Sequence, residues 1–127
     1  MPVLMSALKD GESLGIVADH RDDSGVPLPF FGHDKLTTII PARLALQFDC
    51  DLIPTRVERL GGARFRITFH DPIRPDPSLS SKRDQATQMM GEVNKLFEQW
   101  ICARPQQWLC TKRAWAKHLS SGAAISE

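Results

Sequence analysis

From Ala86 to Ile101 the apolar residues Ala86, Met89, Met90, Val93, Phe97, Trp100 and Ile101 follow one another at spacings of 3-1-3-4-3-1. That is the one-sided stripe of a helix. A stripe of about four turns needs an apolar surface to lie against, so the chain must be layered around this segment. Ser81-Lys-Arg-Asp84 supplies the start, a hydroxyl with an acid three residues on. This is the spacing of a capping box, with Asp in its less usual last place. Pro105 sets the end, because the residue before a proline is driven out of helical geometry. A second helix is predicted from Pro105 to about Leu119.

The partner surface has to come from the first half of the chain. Leu14 to Ala18 is a short apolar run with the β-branched pair Ile16 and Val17. It reads as a strand buried on both faces, parallel to its neighbours. The run stops at Asp19, and a charged loop follows. In open α/β sheets the ligand crevice lies beyond the carboxyl ends of the strands, which places Asp19, His20 and Arg21 at such an edge. Asp19 either positions an arginine or a ligand there or caps a neighbouring loop. In Val26-Pro-Leu-Pro-Phe-Phe-Gly32 two prolines stiffen an extended backbone and Gly32 allows a turn. Phe30 and Phe31 are then held beside the loop, as pocket walls or as ordinary core. Met1 to Lys9 is read as one or two helical turns. A further helix is predicted from Leu36 to Asp49, with Asp34 or Thr37 as its N-cap and Ile40, Leu44 and Phe48 on its apolar face.

Asp51–Leu60 and Ala63–His70 read as a hairpin about Gly61-Gly62. Ile53, Thr55 and Val57 alternate with polar residues, as do Phe65, Ile67 and Phe69. A two-residue loop of Gly61 and Gly62 would set Val57 opposite Arg66 and mix the faces. A three-residue loop keeps all the apolar side chains together, and is predicted. Arg59 at the tip would clamp a phosphate or stand in solvent. Arg56, Arg64 and Arg66 fall on the other face, solvated, with Glu58 as a local partner. Asp71 to Ser80, with Pro72, Pro75 and Pro77, is an extended connector.

The 127 residues suit one domain, read as residues 1–119 with a disordered tail over 120–127. A formal net charge of +1 gives no global field for a polyanion, so no nucleic-acid partner is expected. Cys50, Cys102 and Cys110 show no metal-binding spacing and read as reduced thiols, mostly in the core. His20, Asp22 and Asp23 are read as a solvated loop, and neither metal nor other cofactor is expected. No apolar run approaches the roughly 18 residues that span a bilayer. The start, Met-Pro-Val-Leu-Met-Ser, lacks the features of a signal peptide. Trp108 and Trp115 stand among Arg104, Lys112, Arg113 and Lys117, a mixture that suits either docking onto the core or an anionic membrane surface.

Several of these segments share an order. A strand ending in Asp19, then Val-Pro-Leu-Pro-Phe-Phe-Gly32, Leu52-Ile-Pro54 leading to Arg59, Asn94 and Glu98, and Pro105-Gln-Gln-Trp-Leu109 resemble the bacterial lipid A biosynthesis acyltransferases. These are lauroyl and myristoyl transferases of the lysophospholipid acyltransferase superfamily. The resemblance runs from about Leu8 to His118. After Leu109 the family pattern Trp-x-His-Arg-Arg-Trp is kept only at Arg113 and Trp115. The superfamily also relies on a His followed five residues later by Asp or Glu, whose imidazole takes the proton of the acceptor hydroxyl. Here the residues five on from His20, His33, His70 and His118 are Gly25, Thr38, Pro75 and Ala123.

The expectation is therefore the C-terminal part of such an enzyme, without its catalytic base. It would be an α/β fold with a mixed sheet, a buried parallel strand plus an antiparallel hairpin, flanked by helices. The resemblance implies transfer of a fatty acyl group from an acyl carrier protein thioester to a hydroxyl of a glycolipid, at the cytoplasmic face of the inner membrane. Asp19, Arg21, Phe30, Phe31, Gly32 and Arg59 are the candidate substrate-binding residues. Lys112, Arg113, Trp115 and Lys117 are the candidate membrane-facing ones. The alternative is a non-catalytic module that binds anionic lipid or a carrier protein. Exposed strand edges would favour self-association.

Overall fold

The computed structural model describes residues 1–110 and 112–116. Its central element is the helix expected from the apolar stripe, which runs Lys82–Ala103. The Ser81 hydroxyl accepts hydrogen bonds from the backbone N–H groups of Arg83 and Asp84, the start read from the sequence. The stripe is buried from Ala86 to Val93, and Asn94 is buried with it. Before it come α1 (Pro2–Lys9), β1 (Val26–Phe30), β2 (His33–Thr37), α2 (Ile40–Phe48), β3 (Thr55–Gly61) and β4 (Arg64–Phe69), which makes the central helix α3. A single 3-10 turn, Pro105–Gln107, follows it.

The core lies where α3 meets α2 and β1. Ala86, Met89, Met90 and Val93 pack on Ala42 and Leu28, with Ile39, Leu52, Ile73 and Phe97 around them. The start of α2 differs from the expectation. Leu36 and Thr37 belong to β2, and helical geometry begins only at Ile40. Pro41 accounts for this, since a proline is favoured in the first turn and disfavoured further in. Neither Asp34 nor Thr37 is the cap: Ile39 holds that position without a side-chain bond, and the Thr38 hydroxyl just before it accepts from the N–H of Ile40.

β1 and β2 form an antiparallel ribbon in which Val26 faces Thr37 and Phe30 faces His33. Two residues close it, Phe31 at φ 51° and Gly32 at φ 77°. Positive φ at both positions is the type I′ turn that matches the twist of a hairpin. Gly32 fits it freely, whereas Phe31 does not and is held there by neighbours described below.

β3 and β4 form a second antiparallel ribbon. Val57 faces Ile67, Thr55 faces Phe69 and Arg59 faces Phe65, so the apolar side chains share one face as predicted. The loop reaches that parity by another route. Leu60 bulges out between Arg59 and Gly61, and Gly61 pairs with Arg64. A bulge adds one residue to one strand, which has the same effect on register as one more residue in the loop. The faces themselves are reversed from a half-buried ribbon. The apolar side is exposed, whereas Glu58 on the other side is buried.

Leu14–Ala18 is not a strand. No described strand runs beside it, so its backbone has no ladder to join, and Ile16 and Val17 are exposed. The β-structure is two separate two-stranded antiparallel sheets, without the expected parallel strand, and the chain remains a mixed α/β fold. Among the described residues through Ala116 the helix predicted from Pro105 is likewise absent: only Pro105–Gln107 is helical, and Trp108 is already extended. Its last residues and the tail over 120–127 lie outside the described residues. The three cysteines are exposed rather than in the core.

Candidate functional site

Because Leu14–Ala18 is not laddered into a sheet, its side chains are free to wall a groove. The groove encloses about 930 Å³ and runs between this strip, α1, α2, the segment Cys50–Val57 and the C-terminal half of α3. Leu8, Ile16, Leu44, Leu52, Phe97 and Ile101 give it apolar walls. Such a volume, walled mainly by apolar side chains, has the character of a small-molecule site whose ligand is largely apolar.

Two basic groups of the lining, Arg56 and Arg104, meet at the end of α3. Glu58, buried at 8% exposure, stands between two guanidinium groups, Arg56 at 3.4 Å and Arg104 at 3.5 Å. Both arginines line the groove, and Arg56 also lies over the Trp100 ring, 5.9 Å from its centre. At this end of the groove two cations face one carboxylate, while Glu12, Asp19 and Asp51 line other parts of it. Planar guanidinium groups so placed can bind a phosphate or carboxylate.

A set of polar clamps fixes the elements around the groove. The Glu98 carboxylate accepts from the Phe31 N–H at 2.7 Å. The Asn94 amide donates to the Thr37 hydroxyl at 3.1 Å, and the Trp115 indole donates to the Phe30 carbonyl at 3.0 Å. The Gln107 side chain accepts from the Arg59 N–H and donates to the Arg59 carbonyl, a two-bond grip on β3. Each clamp joins two segments far apart in the chain, and all but the one at Thr37 link segments that the sequence resemblance had singled out separately.

The family model for bacterial lipid A biosynthesis acyltransferases matches residues 1–117. The chain belongs to this family. A search of curated proteins found no match. In this member of the acyltransferase family, Phe30, Phe31, Asn94, Glu98 and Gln107 serve to hold the fold together around the groove.

The predicted site residues are therefore only partly brought together. Asp19 lines the groove, and its carbonyl accepts from the Lys35 ammonium at 3.1 Å. Lys35 is fully buried, with its nitrogen 4.1 Å from the centre of the Phe30 ring. Burial pulls its ammonium below the usual lysine range, and the Asp19 charge opposes that shift. Arg21 is elsewhere, paired with Asp23 at 2.8 Å on the loop. Phe30 and Phe31 do not wall the groove. They stack edge-on, 4.8 Å apart, in a cluster with Trp108 and Trp115. Gly32 borders a separate shallow depression with Leu28 and Glu98. Arg59 turns its guanidinium back onto the Gly62 carbonyl at 2.8 Å, outside the groove. Lys112 and Arg113 are exposed; Trp115 is docked on the core; Lys117 lies outside the described residues.

No described histidine is ion-paired with a carboxylate. His70 lies against Trp100, ring centres 4.7 Å apart, with its buried Nε2 lacking a hydrogen-bond partner. No group of three potential metal ligands occurs among the described residues. Sequence reasoning placed Arg104 only in the basic set around Trp108 and Trp115, and read Arg56 as solvated. A signal for Arg104 was present: it stands four residues after Trp100 and so continues the apolar stripe of α3.

Proposed function

We propose that the chain forms the acyl-binding part of a lipid A-type acyltransferase, the C-terminal portion of the enzyme. The fatty chain of an acyl carrier protein thioester lies in the apolar groove, and a glycolipid hydroxyl attacks the thioester carbonyl. A carbon–oxygen bond forms and the carbon–sulfur bond breaks. The hydroxyl proton passes to a base, and the carrier thiolate leaves. The base is a histidine–carboxylate pair that this chain does not carry, since no histidine here has Asp or Glu five residues on. Arg56 and Arg104 hold a phosphate of the carrier's arm or of the acceptor. The protein works as a peripheral partner of the cytoplasmic face of the inner membrane. No described helix is long and apolar enough to cross a membrane.

The observation that carries this reading is the groove itself, apolar along its walls with two guanidinium groups at one carboxylate. Displacement of a fluorescent fatty acid by unlabelled fatty acids tests it, run beside an acyl-transfer assay with acyl carrier protein thioester. Saturable fatty-acid binding without turnover is expected. No binding would remove the acyl-groove reading, and turnover by this chain alone would remove the missing base. The absent histidine motif also favours a second reading, a non-catalytic module that binds anionic lipid or a carrier protein, which predicts binding of phosphate-bearing glycolipid or acyl carrier protein without acyl transfer even when a catalytic segment is supplied.

A further inference from the structure

The β3–β4 ribbon turns its apolar face outward. Val57, Phe65, Ile67 and Phe69 are 60%, 57%, 59% and 73% exposed and lie on one side in register. Isolated apolar side chains on a surface need no account, but four in one contiguous patch mark an interaction surface. The same ribbon is cationic. Arg59, Arg64 and Arg66 are exposed, and no described carboxylate is ion-paired with any of them. The single acid in Thr55–Phe69 is Glu58, which is buried between Arg56 and Arg104.

We infer that the β3–β4 ribbon is the element by which the protein docks on an anionic lipid bilayer. Its apolar face enters the interface, with Arg59 on that face, while Arg64 and Arg66 on the opposite face extend back to lipid phosphates. Aromatic and aliphatic side chains beside arginines are the combination that an anionic bilayer surface selects, and long basic side chains extend back to the headgroups.

Two observations favour a bilayer over a second copy of the chain. The four side chains offer on the order of 400 Å², about half of the roughly 800 Å² that each partner gives to a stable interface. A twofold contact through this face would also bring together two copies of Arg59, which shares the face with Val57 and Phe65. In addition, Val57 and Phe69 belong both to the exposed face and to the lining of the groove, so the ribbon leads from the docking surface into the apolar cavity.

This inference rests on the membrane reading above and places the contact on the ribbon instead of on Lys112 and Arg113. The test is co-sedimentation of the full chain with vesicles of phosphatidylglycerol and phosphatidylethanolamine, against vesicles of phosphatidylcholine. The protein should prefer the anionic vesicles and be released by salt. The double variant Phe65→Ser/Ile67→Ser should lower binding by about tenfold or more, and Arg59→Gln/Arg64→Gln/Arg66→Gln should abolish the preference for anionic vesicles. Lys112→Gln/Arg113→Gln should change binding by less than about twofold on the same scale. Circular dichroism checks that each variant folds. Where the double variant does not, the arginine variant decides.

Hairpin variants that bind like the parent protein overturn the assignment, as does a loss confined to Lys112→Gln/Arg113→Gln. No binding by the parent overturns the membrane reading with it. A dimer in solution that Phe65→Ser/Ile67→Ser dissolves, without vesicle binding, makes the face a self-association surface instead.

Discussion

The carboxylate of Glu98, on α3, accepts a hydrogen bond from the backbone N–H of Phe31 at 2.7 Å, although 67 positions separate them in the chain. Phe31 occupies left-handed backbone geometry at φ 51°, which costs a residue with a Cβ roughly 1–2 kcal/mol. The ionised acceptor offsets that cost and anchors the β1–β2 turn to the central helix. Glu98→Ala removes the acceptor and leaves the N–H partly buried without a partner. Stability should fall by about 1–3 kcal/mol, read as a lower midpoint in urea unfolding. Glu98→Gln keeps a neutral acceptor and should lose less.

Phe31 also shows how far local pattern carries. α3 was legible because an apolar stripe and a Ser cap are local signals, and both lie in Ser81–Ile101. The register of β3 and β4 was legible because alternation fixes parity, whichever device supplies the odd residue. Leu14–Ala18 was not. A short apolar run has the same composition whether it is an interior strand or the wall of a groove, and only a neighbouring strand decides. Trp108 and Trp115, seven apart, fit two helical turns, but their rings are claimed by Phe30 and Phe31 and the backbone follows. Arg56 and Arg104 became groove residues only through Glu58, a long-range pairing that no spacing along the chain reveals.

The Trp115 indole gives a second measure of how the end of the chain is held. Its N–H donates to the Phe30 carbonyl at 3.0 Å while the ring sits 5.8 Å from that of Phe30. Trp115→Phe keeps an aromatic ring and removes the donor. The expected loss is about 1 kcal/mol, the usual net worth of one such bond. Trp115→Ala removes the ring as well and should cost clearly more. Thermal unfolding of the two variants side by side separates the bond from the packing.

Lys35 makes stability depend on pH at the alkaline end. Its ammonium is fully buried, and desolvation lowers its pKa in the folded state below that of the unfolded chain. Between those two values the unfolded state carries the extra proton, so this group makes the fold more stable as pH rises through the window, and less stable below it. Lys35→Met, of similar length and without the charge, should therefore raise stability at neutral pH by about 1 kcal/mol. The advantage should shrink as pH climbs toward the ordinary lysine value. Urea unfolding of both proteins across neutral to alkaline pH checks the sign, and an advantage that grows with pH would contradict it.

Glu58 sets the charge at the groove. It is buried at 8% exposure and faces both Arg56 and Arg104. Glu58→Gln leaves the two guanidinium groups without their counter-charge, which should cost about 1–3 kcal/mol of stability. The same change releases both arginines toward an incoming anion. Binding of a phosphate-bearing glycolipid should tighten severalfold, by titration calorimetry at low salt, and the gain should fade as ionic strength rises. Loss of stability without tighter binding would mean that the pair of arginines serves the fold alone.

Ile16 tests the groove without disturbing the core. It lies on the unladdered strip, 39% exposed, and its side chain lines the cavity. Ile16→Lys sets an ammonium where an acyl chain would lie, and the charge must either be desolvated by the ligand or keep water in the groove. Stability should change by less than about 0.5 kcal/mol, as for other exposed positions. Fatty-acid affinity should fall about tenfold or more, since one charge left in an apolar site outweighs the few methylene groups that the isoleucine would have covered. A fluorescent fatty-acid titration of the variant and of Arg21→Gln, on the loop outside the groove, makes the comparison internal. Equal affinity in the two proteins would place the acyl chain somewhere other than along Leu14–Asp19.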